Sequence, residues 1–406
     1  MDVSEVHMGQ AAAVAGRGVC DRCLGRMFGK VGTGLTNPER GIAIREALEA
    51  SGKKTQTVQP CPLCEDVFDY VDRFAEAVAE ALVDVESDDF LVGCRMDPVL
   101  LDKEKEIVSD IGLENHESIR TELNREVGKA AGPAVGRPAN FKTPQAVALV
   151  DARFGEVSLD LAPVFIEGRY CKLSREIPQT EWPCRACRGK GCPRCDGTGK
   201  MYQTSVQEII GDIALRMCRG TGHAFHGMGR EDIDALMLGD GRPFVLEISQ
   251  PRVRRIDLDA LAKEANSGGL ASYNSLAFCD RARVRETKLA DPPKTYRALV
   301  RADGKLNKER VIDVAQSFRD VILDQRTPGR VEHRRADLVR KRKIHWARAE
   351  PLGEDTFELV LEAESGTYVK EFVSGDGGRT VPNLSDALGV PCRVEALDVL
   401  AINNRE

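Results

Sequence analysis

The stretch GMGREDIDALMLGDGRPFVLEI, residues 227–248, joins a glycine-bounded acidic loop to two apolar runs. The runs occupy residues 235–238 and 244–248, and Gly239-Asp240-Gly241 stands between them. Two apolar runs around such a turn predict a β-hairpin. This hairpin would hold the preceding acidic loop rigid, so the stretch predicts both a sheet and the place of a functional loop.

Apolar periodicity predicts further elements on both sides of this stretch. Strands are predicted at residues 146–151, 157–166, 296–301, 357–363 and 394–402. Helical spacing and start signals predict helices at residues 37–50, 67–82, 205–217 and 311–318. We expect Asn37 to cap the first of these helices. Residues 132–138 contain two glycines and two prolines, which predicts a connector.

This order of elements predicts an α+β fold. We expect a large mixed or antiparallel sheet in the second part of the chain and a smaller α/β domain before it. The 406 residues favour two or three domains. The predicted boundary follows the strand pair that ends near residue 166, which gives domains at residues 1–169 and 170–406. We find no convincing internal repeat.

The composition, with 42% apolar and 30% charged residues, is typical of a globular protein. No apolar run approaches the ~20 residues of a membrane span, and the chain start lacks a signal pattern, so we expect a cytoplasmic protein. The net charge of −6 averages −11 over residues 65–110 and +7 over residues 326–348. The basic stretch is typical of a surface that follows nucleic-acid phosphates; a solvated face balanced by acids elsewhere is the alternative.

Thirteen cysteines include four Cys-x-x-Cys pairs, which in a reducing cytosol favour metal over disulfides. Two pairs complete one tetrahedral Zn²⁺ site, and the other two, in a Cys-rich insertion at residues 184–199, form a second. The predicted ligands are Cys20, Cys23, Cys61 and Cys64 for the first site and Cys184, Cys187, Cys192 and Cys195 for the second. Unrelated buried thiols are the alternative. The insertion also resembles the Cys-rich repeats of DnaJ-type co-chaperones.

The acidic loop at residues 227–234 is the candidate for catalysis. The chain lacks a Walker-type phosphate loop, a dinucleotide fingerprint and a Ser-His-Asp order, which removes most cofactor-dependent chemistries. A carboxylate held between glycines ahead of a rigid strand pair can act as nucleophile or base without a cofactor. A merely solvated acidic loop is the alternative.

Three ordered motifs resemble those of pseudouridine synthases. Gly229-Arg230-Glu231-Asp232 looks like the Gly-Arg-x-Asp motif that carries their essential aspartate. KTYRAL at residues 294–299 resembles the strand with their active-site tyrosine, and GTYVK at 366–370 resembles a later strand that ends in a basic residue. The chain is most similar to the archaeal and eukaryotic tRNA pseudouridine(54/55) synthases, the Pus-ten family. The similarity is strong over residues 168–406 and looser before them, where it comprises paired cysteines and a THUMP-type RNA-binding region.

The resemblance implies an isomerase that converts uridine to pseudouridine at positions 54 and 55 of the tRNA T-loop, with structural Zn²⁺ and no organic cofactor. Asp232 would attack the ribose or the uracil, or assist cleavage of the glycosidic bond. Tyr296 would stack on the flipped uracil. Lys370 would pair with Asp232, although many synthases have Arg there, which alone makes a bidentate pair. Arg230 would displace the base or bind a phosphate, with a structural salt bridge as the alternative.

Further substrate contacts are assigned by the same resemblance to Tyr368, Arg175, Arg326, Arg334, Arg335 and Arg379. We expect tRNA as the partner, no membrane association and a monomer. A non-catalytic, zinc-stapled RNA-binding or chaperone-like module is the alternative function. A THUMP-bearing tRNA methylase or thiolase is disfavoured by the missing methyl-donor and ATP loops.

Overall fold

The computed structural model describes residues 6–31, 34–334 and 336–403, except for the side chains of residues 333 and 334. The chain divides into two compact units, Met1–Ala162 and Pro163–Glu406. The division falls before the predicted boundary at residue 169. The reason is that the strand Val164–Lys172 pairs only with strands of the second unit and therefore belongs wholly to it.

The first unit combines helices with a small mixed sheet. Its elements are α1 (Met8–Ala15), α2 (Asp21–Arg26), α3 (Asn37–Ala50), α4 (Val71–Leu82), β1 (Leu91–Arg95), α5 (Pro98–Ile111), α6 (Ile119–Val135), β2 (Ala146–Asp151) and β3 (Glu156–Leu161). A short 3-10 turn, Val67–Tyr70, precedes α4. The strand order is β1-β2-β3, with β1 parallel and β3 antiparallel to β2.

Two predictions for the helices of this unit need correction. Thr36, not Asn37, caps α3, and its side chain and that of Glu39 form a reciprocal capping box worth about 1 kcal/mol. The expected connector at residues 132–138 begins inside α6, which continues through Pro133 and ends at Gly136 in the left-handed conformation. A proline in the last turn removes only one helical hydrogen bond, and the apolar stripe of α6 continues to Ala131, so the helix persists.

The second unit contains the remaining elements. They are β4 (Val164–Lys172), α7 (Val206–Cys218), β5 (Gly222–Gly227), β6 (Ala235–Ser249), α8 (Leu258–Ala265), β7 (Ala271–Cys279), α9 (Arg281–Leu289), β8 (Lys294–Ala302), α10 (Lys308–Ser317), β9 (Val321–Arg326), β10 (Val339–Pro351), β11 (Thr356–Ala363), α11 (Val369–Ser374), β12 (Thr380–Val381), α12 (Leu384–Leu388) and β13 (Cys392–Ile402). Short 3-10 turns occupy Pro193–Cys195, Asn266–Gly268, Gly329–Arg334 and Gly375–Gly378.

A ten-stranded sheet of the described residues organises this unit. Its order is β12-β9-β10-β11-β8-β13-β6-β4-β7, and β5 pairs with β6 outside this path. All pairs are antiparallel except β13 with the start of β6, which are parallel. Apolar residues of the sheet and of the helices packed on it form one continuous core. The predicted α+β class with a large mixed sheet is confirmed.

The predicted hairpin at residues 235–248 is wrong, because these residues form the single strand β6. Gly239 and Gly241 have φ values of +62° and +78°, but they form a bulge rather than a chain reversal. A β-carbon at Gly239 would collide with the Leu400 carbonyl, and one at Gly241 would lie 2.7 Å from the Tyr170 carbonyl oxygen. The glycines therefore let the neighbouring strands β13 and β4 approach closely.

The hairpin partner of β6 is β5, which the sequence analysis missed. Gly222–Gly227 pairs antiparallel with the second half of β6, and Gly227 lies opposite Phe244. The acidic loop is therefore the connection inside a hairpin, and the first half of β6 continues from it beside β13. Two strand pairings thus fix both ends of the loop.

Candidate active site

The acidic loop, residues 228–234, closes over a buried arginine. The backbone amide of Met228 donates to the carbonyl of Pro243 at 3.0 Å, which anchors the start of the loop to β6. Gly229 has a φ of +76°, and a β-carbon there would lie 3.2 Å from Nη1 of Arg242. Glycine is therefore required by both the backbone conformation and the close approach.

A buried polar network centred on Glu231 supports the loop from below. The side chains of Glu231 and Arg242 are each 1% exposed, and Nε of Arg242 lies 2.9 Å from Oε2 of Glu231. The hydroxyl of Tyr170 donates to the same oxygen at 2.9 Å, and the amide of Gln179 donates to that hydroxyl at 2.7 Å. Burial and the charge of Glu231 raise the pKa of Tyr170 well above its ordinary value, so the hydroxyl remains a donor. The network fixes the backbone directly before the next carboxylate.

That carboxylate, Asp232, is 44% exposed and has two cations beside it. Nη1 of Arg330 lies 3.1 Å from its Oδ2, whereas Nζ of Lys370 lies 4.0 Å away. Lys370 donates instead to Asp234 at 2.7 Å. Although burial favours the neutral acid, this ammonium lowers the pKa of Asp234. The predicted pair of Lys370 and Asp232 is thus a 4.0 Å contact, because one ammonium serves two carboxylates and lies nearer the other.

Arg330 is the cation nearest to Asp232, and the sequence analysis did not single it out. Its Nε donates to Oε1 of Glu371 at 2.6 Å, and the side chain of Glu371 is 6% exposed. Its guanidinium also lies 6.0 Å from the ring centre of Tyr368. Glu371 therefore holds Arg330 in place against Asp232.

Strand β8 places a tyrosine and a lysine on one buried face of the sheet. Burial raises the pKa of Tyr296 to about 12; the charge of Arg242 opposes this shift and that of Asp232 adds to it. Burial and the positive charge of Arg242 lower the pKa of Lys294 to about 8. Nζ of Lys294 donates to Oγ of Ser365 at 2.8 Å. At neutral pH the tyrosine is a hydrogen-bond donor, and the lysine is a buried cation close to its own pKa.

The predicted strand at residues 366–370 is wrong. Gly366 has a φ of +79° and belongs to a turn, and α11 begins at Val369. The backbone amide of Tyr368 donates to Oε1 of Gln325 at 2.9 Å, so a side chain replaces the neighbouring strand as its partner. Lys370 therefore lies in the first turn of a helix.

These groups line one cavity of about 370 Å³, together with the loop itself. The predicted site residues that line it are Arg230, Asp232, Tyr296, Tyr368 and Lys370; Arg242, Lys294 and Arg330 line it in addition. A second cavity of about 300 Å³ adjoins it at Asp232 and is lined by Trp182. A larger cavity of about 570 Å³ beside α9 contains none of the predicted site residues.

Three of the remaining predicted substrate contacts, Arg175, Arg326 and Arg379, lie outside both cavities at Asp232 and have partners within the protein. Arg175 donates to Asp398 at 2.5 Å. Arg326 and Arg379 both donate to Asp337, at 2.5 Å and 3.0 Å. Arg335 and the side chain of Arg334 lie outside the described residues. RNA contact by these arginines remains a prediction.

Comparison with known proteins gives matches along the chain. A family model described as "Pus10, C-terminal" matches residues 165–403, and "Pus10 THUMP domain, archaeal" matches residues 74–151. A "tRNA pseudouridine synthase Pus10" from Methanothermobacter marburgensis is 43% identical, over 99% of this chain and 99% of the relative. Proteins of the same name from Halorubrum lacusprofundi and Methanocaldococcus jannaschii are 38% and 37% identical, over 100% and 95% of this chain and 97% and 92% of the relatives.

The chain belongs to the Pus10 family. The family predicted from the three motifs is therefore confirmed, and so is the predicted enzyme class, an isomerase that forms pseudouridine in tRNA. The match to a THUMP model lies within the first unit, as the resemblance implied. None of the helices in the described part of this Pus10-family chain has the length and apolar character that a membrane crossing requires.

Both cysteine groups of this Pus10-family chain can hold a metal ion, because the four sulfurs of each lie within 4.8 Å of one another. In the first tetrad (Cys20, Cys23, Cys61 and Cys64), sulfur pairs are 3.8 Å apart. In the second tetrad (Cys184, Cys187, Cys192 and Cys195), they are 3.7–3.9 Å apart. Metal–sulfur bonds of about 2.3 Å in a tetrahedron place the sulfurs roughly 3.8 Å apart, so both donor sets fit such an ion.

The first tetrad is buried in the core of the first unit and has a charged neighbour. Nη2 of Arg26 lies 3.6 Å from Sγ of Cys23, and Nη1 forms an ion pair with Glu104. The side chain of Arg26 is 0% exposed, and Glu104 also accepts from the amide of Ile119 at 2.9 Å. Four thiolates around a divalent ion carry a net charge of −2, which this buried guanidinium offsets in part.

The second tetrad is built from two similar eight-residue halves, CRACRGKG and CPRCDGTG. Positive φ values recur at matching places, in the residue after the second cysteine of each half and in both glycines of each half. A β-carbon at Gly191 would lie 2.6 Å from the Gly197 carbonyl oxygen, and one at Gly199 would collide with the Gly189 carbonyl. The segment is thus an internal repeat that the sequence analysis missed, with glycines where the two halves touch.

Proposed function

We propose that this Pus10-family enzyme converts uridines 54 and 55 of the tRNA T-loop to pseudouridine, with Asp232 as the reacting carboxylate and no organic cofactor. The observation that carries this proposal is the single cavity that holds Asp232, Tyr296, Lys370 and Arg330. Asp232 lines both this cavity and the adjoining one, whereas Asp234 lines only the second. Asp232 is therefore the carboxylate that a base bound beside Tyr296 would meet.

The size and lining of the cavity support binding of one nucleotide turned out of the RNA. About 370 Å³ is within the range of pockets that enclose small ligands. A uridine stacked inside an RNA loop cannot enter a cavity of this size beside Asp232, so it must flip out of the stack. An aromatic face then replaces part of its lost stacking. Tyr296, on the buried face of β8, would supply that contact.

The charges around Asp232 suit its proposed reaction. Arg330 and Lys370 lie 3.1 Å and 4.0 Å from its Oδ2, so two cations stand beside the carboxylate that would attack the substrate or stabilise an oxocarbenium-like sugar. Three roles remain open to this carboxylate: attack on the ribose, attack on the uracil, or assistance in glycosidic cleavage. Tyr296, whose pKa is raised to about 12 chiefly by burial, would keep its proton and donate a hydrogen bond to the base.

We further propose that Zn²⁺ is the ion in both tetrads and that its role is structural. Four thiolates in a closed tetrahedral set are typical of structural zinc. Metal analysis should give about two zinc ions per chain. If the analysis gives one zinc per chain, and Cys184 and Cys192 react rapidly with thiol reagents, the second tetrad does not bind zinc.

The proposed partner is tRNA, the proposed state is a monomer, and the proposed location is the cytoplasm, where a tRNA substrate is found. Light scattering of the purified chain with and without tRNA would test the monomer.

Nucleoside mapping of a tRNA transcript treated with the purified chain tests the proposed reaction. We expect pseudouridine at positions 54 and 55 without any added cofactor, and transcripts with cytidine at either position should lose only that product. Asp232→Asn should lower turnover by at least about 1,000-fold, because the reacting group is removed.

The matched control is Asp234→Asn, which removes the same charge from the same loop. It should retain far more activity than Asp232→Asn. If Asp234→Asn is the inactive variant and Asp232→Asn turns over normally, the assignment of the catalytic carboxylate is wrong. If neither transcript position is modified by the wild-type chain, the T-loop assignment fails.

A further inference from the structure

The cysteine-rich segment, residues 184–199, carries unpaired positive charge on its surface. It contains four exposed cations and one acid, Asp196. The cations are Arg185, Arg188, Lys190 and Arg194. In the described residues none of their side chains has a carboxylate within 4.0 Å. By contrast, Arg175, Arg326 and Arg379, which the resemblance pointed to, all have carboxylate partners.

The fold of the segment fixes where these charges lie. The amide of Cys192 donates to Sγ of Cys195 at 3.3 Å, and the amide of Gly199 donates to the same sulfur at 3.2 Å. The amide of Cys184 donates to the carbonyl of Gly199 at 2.6 Å, so the two ends of the segment meet. Backbone bonds of this kind hold the exposed cations on a compact scaffold rather than on a loose loop.

The base of the segment adjoins the catalytic loop. Trp182, two residues before the first cysteine, has the guanidinium of Arg230 5.8 Å from its ring centre. The amide of Met201 donates to the carbonyl of Trp182 at 2.9 Å, which closes the base of the segment. Trp182 and Arg230 also line the 300 Å³ cavity that contains Asp232. The base of the cysteine-rich segment therefore borders the cavity that contains Asp232, where a flipped nucleotide would enter.

We propose that the cysteine-rich segment is an RNA-binding surface, whose arginines and lysine contact backbone phosphates of the RNA next to the flipped nucleotide. This inference rests on the proposed function for the identity of the RNA. Phosphates that flank a flipped nucleotide remain at the mouth of the cavity, where unpaired cations neutralise them and release counterions. Basic side chains that contact only phosphates would add affinity and position the RNA, but they would not recognise its base sequence.

The surface chemistry of the segment favours RNA over a protein partner. None of the large apolar side chains exposed in the described residues lies within residues 184–199. Protein interfaces usually have an apolar or aromatic centre, whereas nucleic-acid surfaces are dominated by positive charge. The charge on this segment therefore fits a polyanion.

Binding of a fluorescent tRNA transcript to the full-length chain at several salt concentrations tests this proposal. The test variant is Arg185→Gln/Arg188→Gln/Arg194→Gln. We expect affinity at low salt to fall roughly 10- to 100-fold and the slope of log K against log salt to decrease by about 2, since about 0.7 counterions are released per contacted phosphate. The KM for tRNA should rise, while kcat at saturating tRNA stays unchanged.

The matched control is Arg281→Gln/Arg285→Gln/Lys288→Gln, which removes three exposed charges from α9. It should bind within twofold of wild type with an unchanged salt slope. Metal content and thermal stability must equal those of wild type in both variants, which separates lost contacts from a disrupted segment. Wild-type binding by the test variant, or an equal loss in the control, would overturn the proposal.

Binding does not depend on turnover, so the two proposals fail separately. If the wild-type chain binds tRNA through this segment but forms no pseudouridine, the proposed function is wrong and the RNA-binding surface remains. If pseudouridine forms and the test variant binds and turns over like wild type, only the surface is wrong. Weakened binding of an acidic protein, with tRNA binding unaffected, would show that the segment serves a protein partner instead.

Discussion

The two cysteine tetrads have the same donor atoms in opposite surroundings. Cys23, Cys61 and Cys64 of the first tetrad belong to the continuous apolar core of the first unit. The second tetrad lies outside the core of its unit, and the residues between its cysteines are mostly exposed. We therefore expect a metal ion in the first tetrad to reinforce a core that extends beyond it, and one in the second to be the main source of order for its own sixteen-residue segment. The same chemistry would then stabilise a domain in one place and shape a surface in the other.

The largest effect is expected at the first tetrad. Cys23→Ala should lower the free energy of unfolding of the first unit by on the order of 5 kcal/mol or more, because metal binding energy is part of the folding energy of such a site. Hydrogen exchange at the amides of α2, α3 and α4 would measure the change. Cys94→Ala is the matched control, a buried cysteine of the same unit outside the tetrad, and should cost only about 1 kcal/mol. Equal costs for the two variants would mean that the first tetrad is not a metal site.

The buried ion pair of Arg26 and Glu104, next to Cys23, is a second difference between the tetrads. In the described residues, no buried ion pair of this kind contacts a sulfur of the second tetrad. Arg26→Met leaves the carboxylate of Glu104 buried without its partner, which should cost about 3–5 kcal/mol. Adding Glu104→Gln should recover part of this loss in denaturant unfolding. Zinc affinity, measured by competition with a chelator, should stay weakened in the double variant, because the guanidinium beside Cys23 is still missing. Full recovery of zinc affinity would show that Arg26 acts only through Glu104.

The tetrads were predictable from the sequence because their chemistry is local. A Cys-x-x-Cys pair places two thiolates on one turn whatever the rest of the fold does, so spacing alone indicated both sites. The environment of each tetrad was not predictable, because burial depends on which distant elements pack around it. The buried partner of Arg26, for example, is Glu104, from a different helix.

The catalytic loop shows the same limit. The motif Gly229-Arg230-Glu231-Asp232 located the carboxylate. The nearest cation, Arg330, comes from a turn about a hundred residues later, where it is one of many basic residues and nothing in the sequence singles it out. The predicted hairpin failed for a different reason. Glycine with a positive φ is compatible with both a turn and a bulge. At Gly239 and Gly241 the packing of the neighbouring strands β13 and β4 favours the bulge, and this packing is not visible in the local sequence. Sequence patterns thus predicted local chemistry better than long-range partners.

Two individual buried cations can also be compared, because Arg26 of the first unit has a carboxylate partner whereas Lys294 of the second unit forms no ion pair within the described residues. Burial and Arg242 lower the pKa of Lys294 from 10.5 to about 8, so the folded state penalises its charged form. This penalty is fully present below pH 8 and disappears as the pH rises from about 8 to 10.5. Lys294→Met should therefore raise the free energy of unfolding at pH 7 by up to about 3 kcal/mol.

Thermal unfolding of both proteins across this pH range would check the sign. The stability advantage of Lys294→Met should shrink steadily above pH 8. Lys288→Met, at an exposed position of α9, is the control and should change stability by less than about 0.5 kcal/mol at every pH. A destabilised Lys294→Met at pH 7 would show that the bond to Ser365 outweighs the cost of burying the charge.

The smallest global effect is expected at the second tetrad. Cys187→Ala should change the free energy of unfolding of the second unit by less than about 1 kcal/mol, because the core of that unit does not include the segment. Its local effect should be large, since residues 188–199 do not belong to the apolar core of the unit and many backbone bonds of the segment are made to its cysteines. Limited proteolysis should cut the variant at the basic residues between 185 and 194 while the wild-type segment resists.

Loss of global stability comparable to that of Cys23→Ala would erase the distinction between the tetrads and make both of them parts of a core. Local cleavage with an intact sheet would instead confirm that identical ligands serve stability in one unit and surface shape in the other.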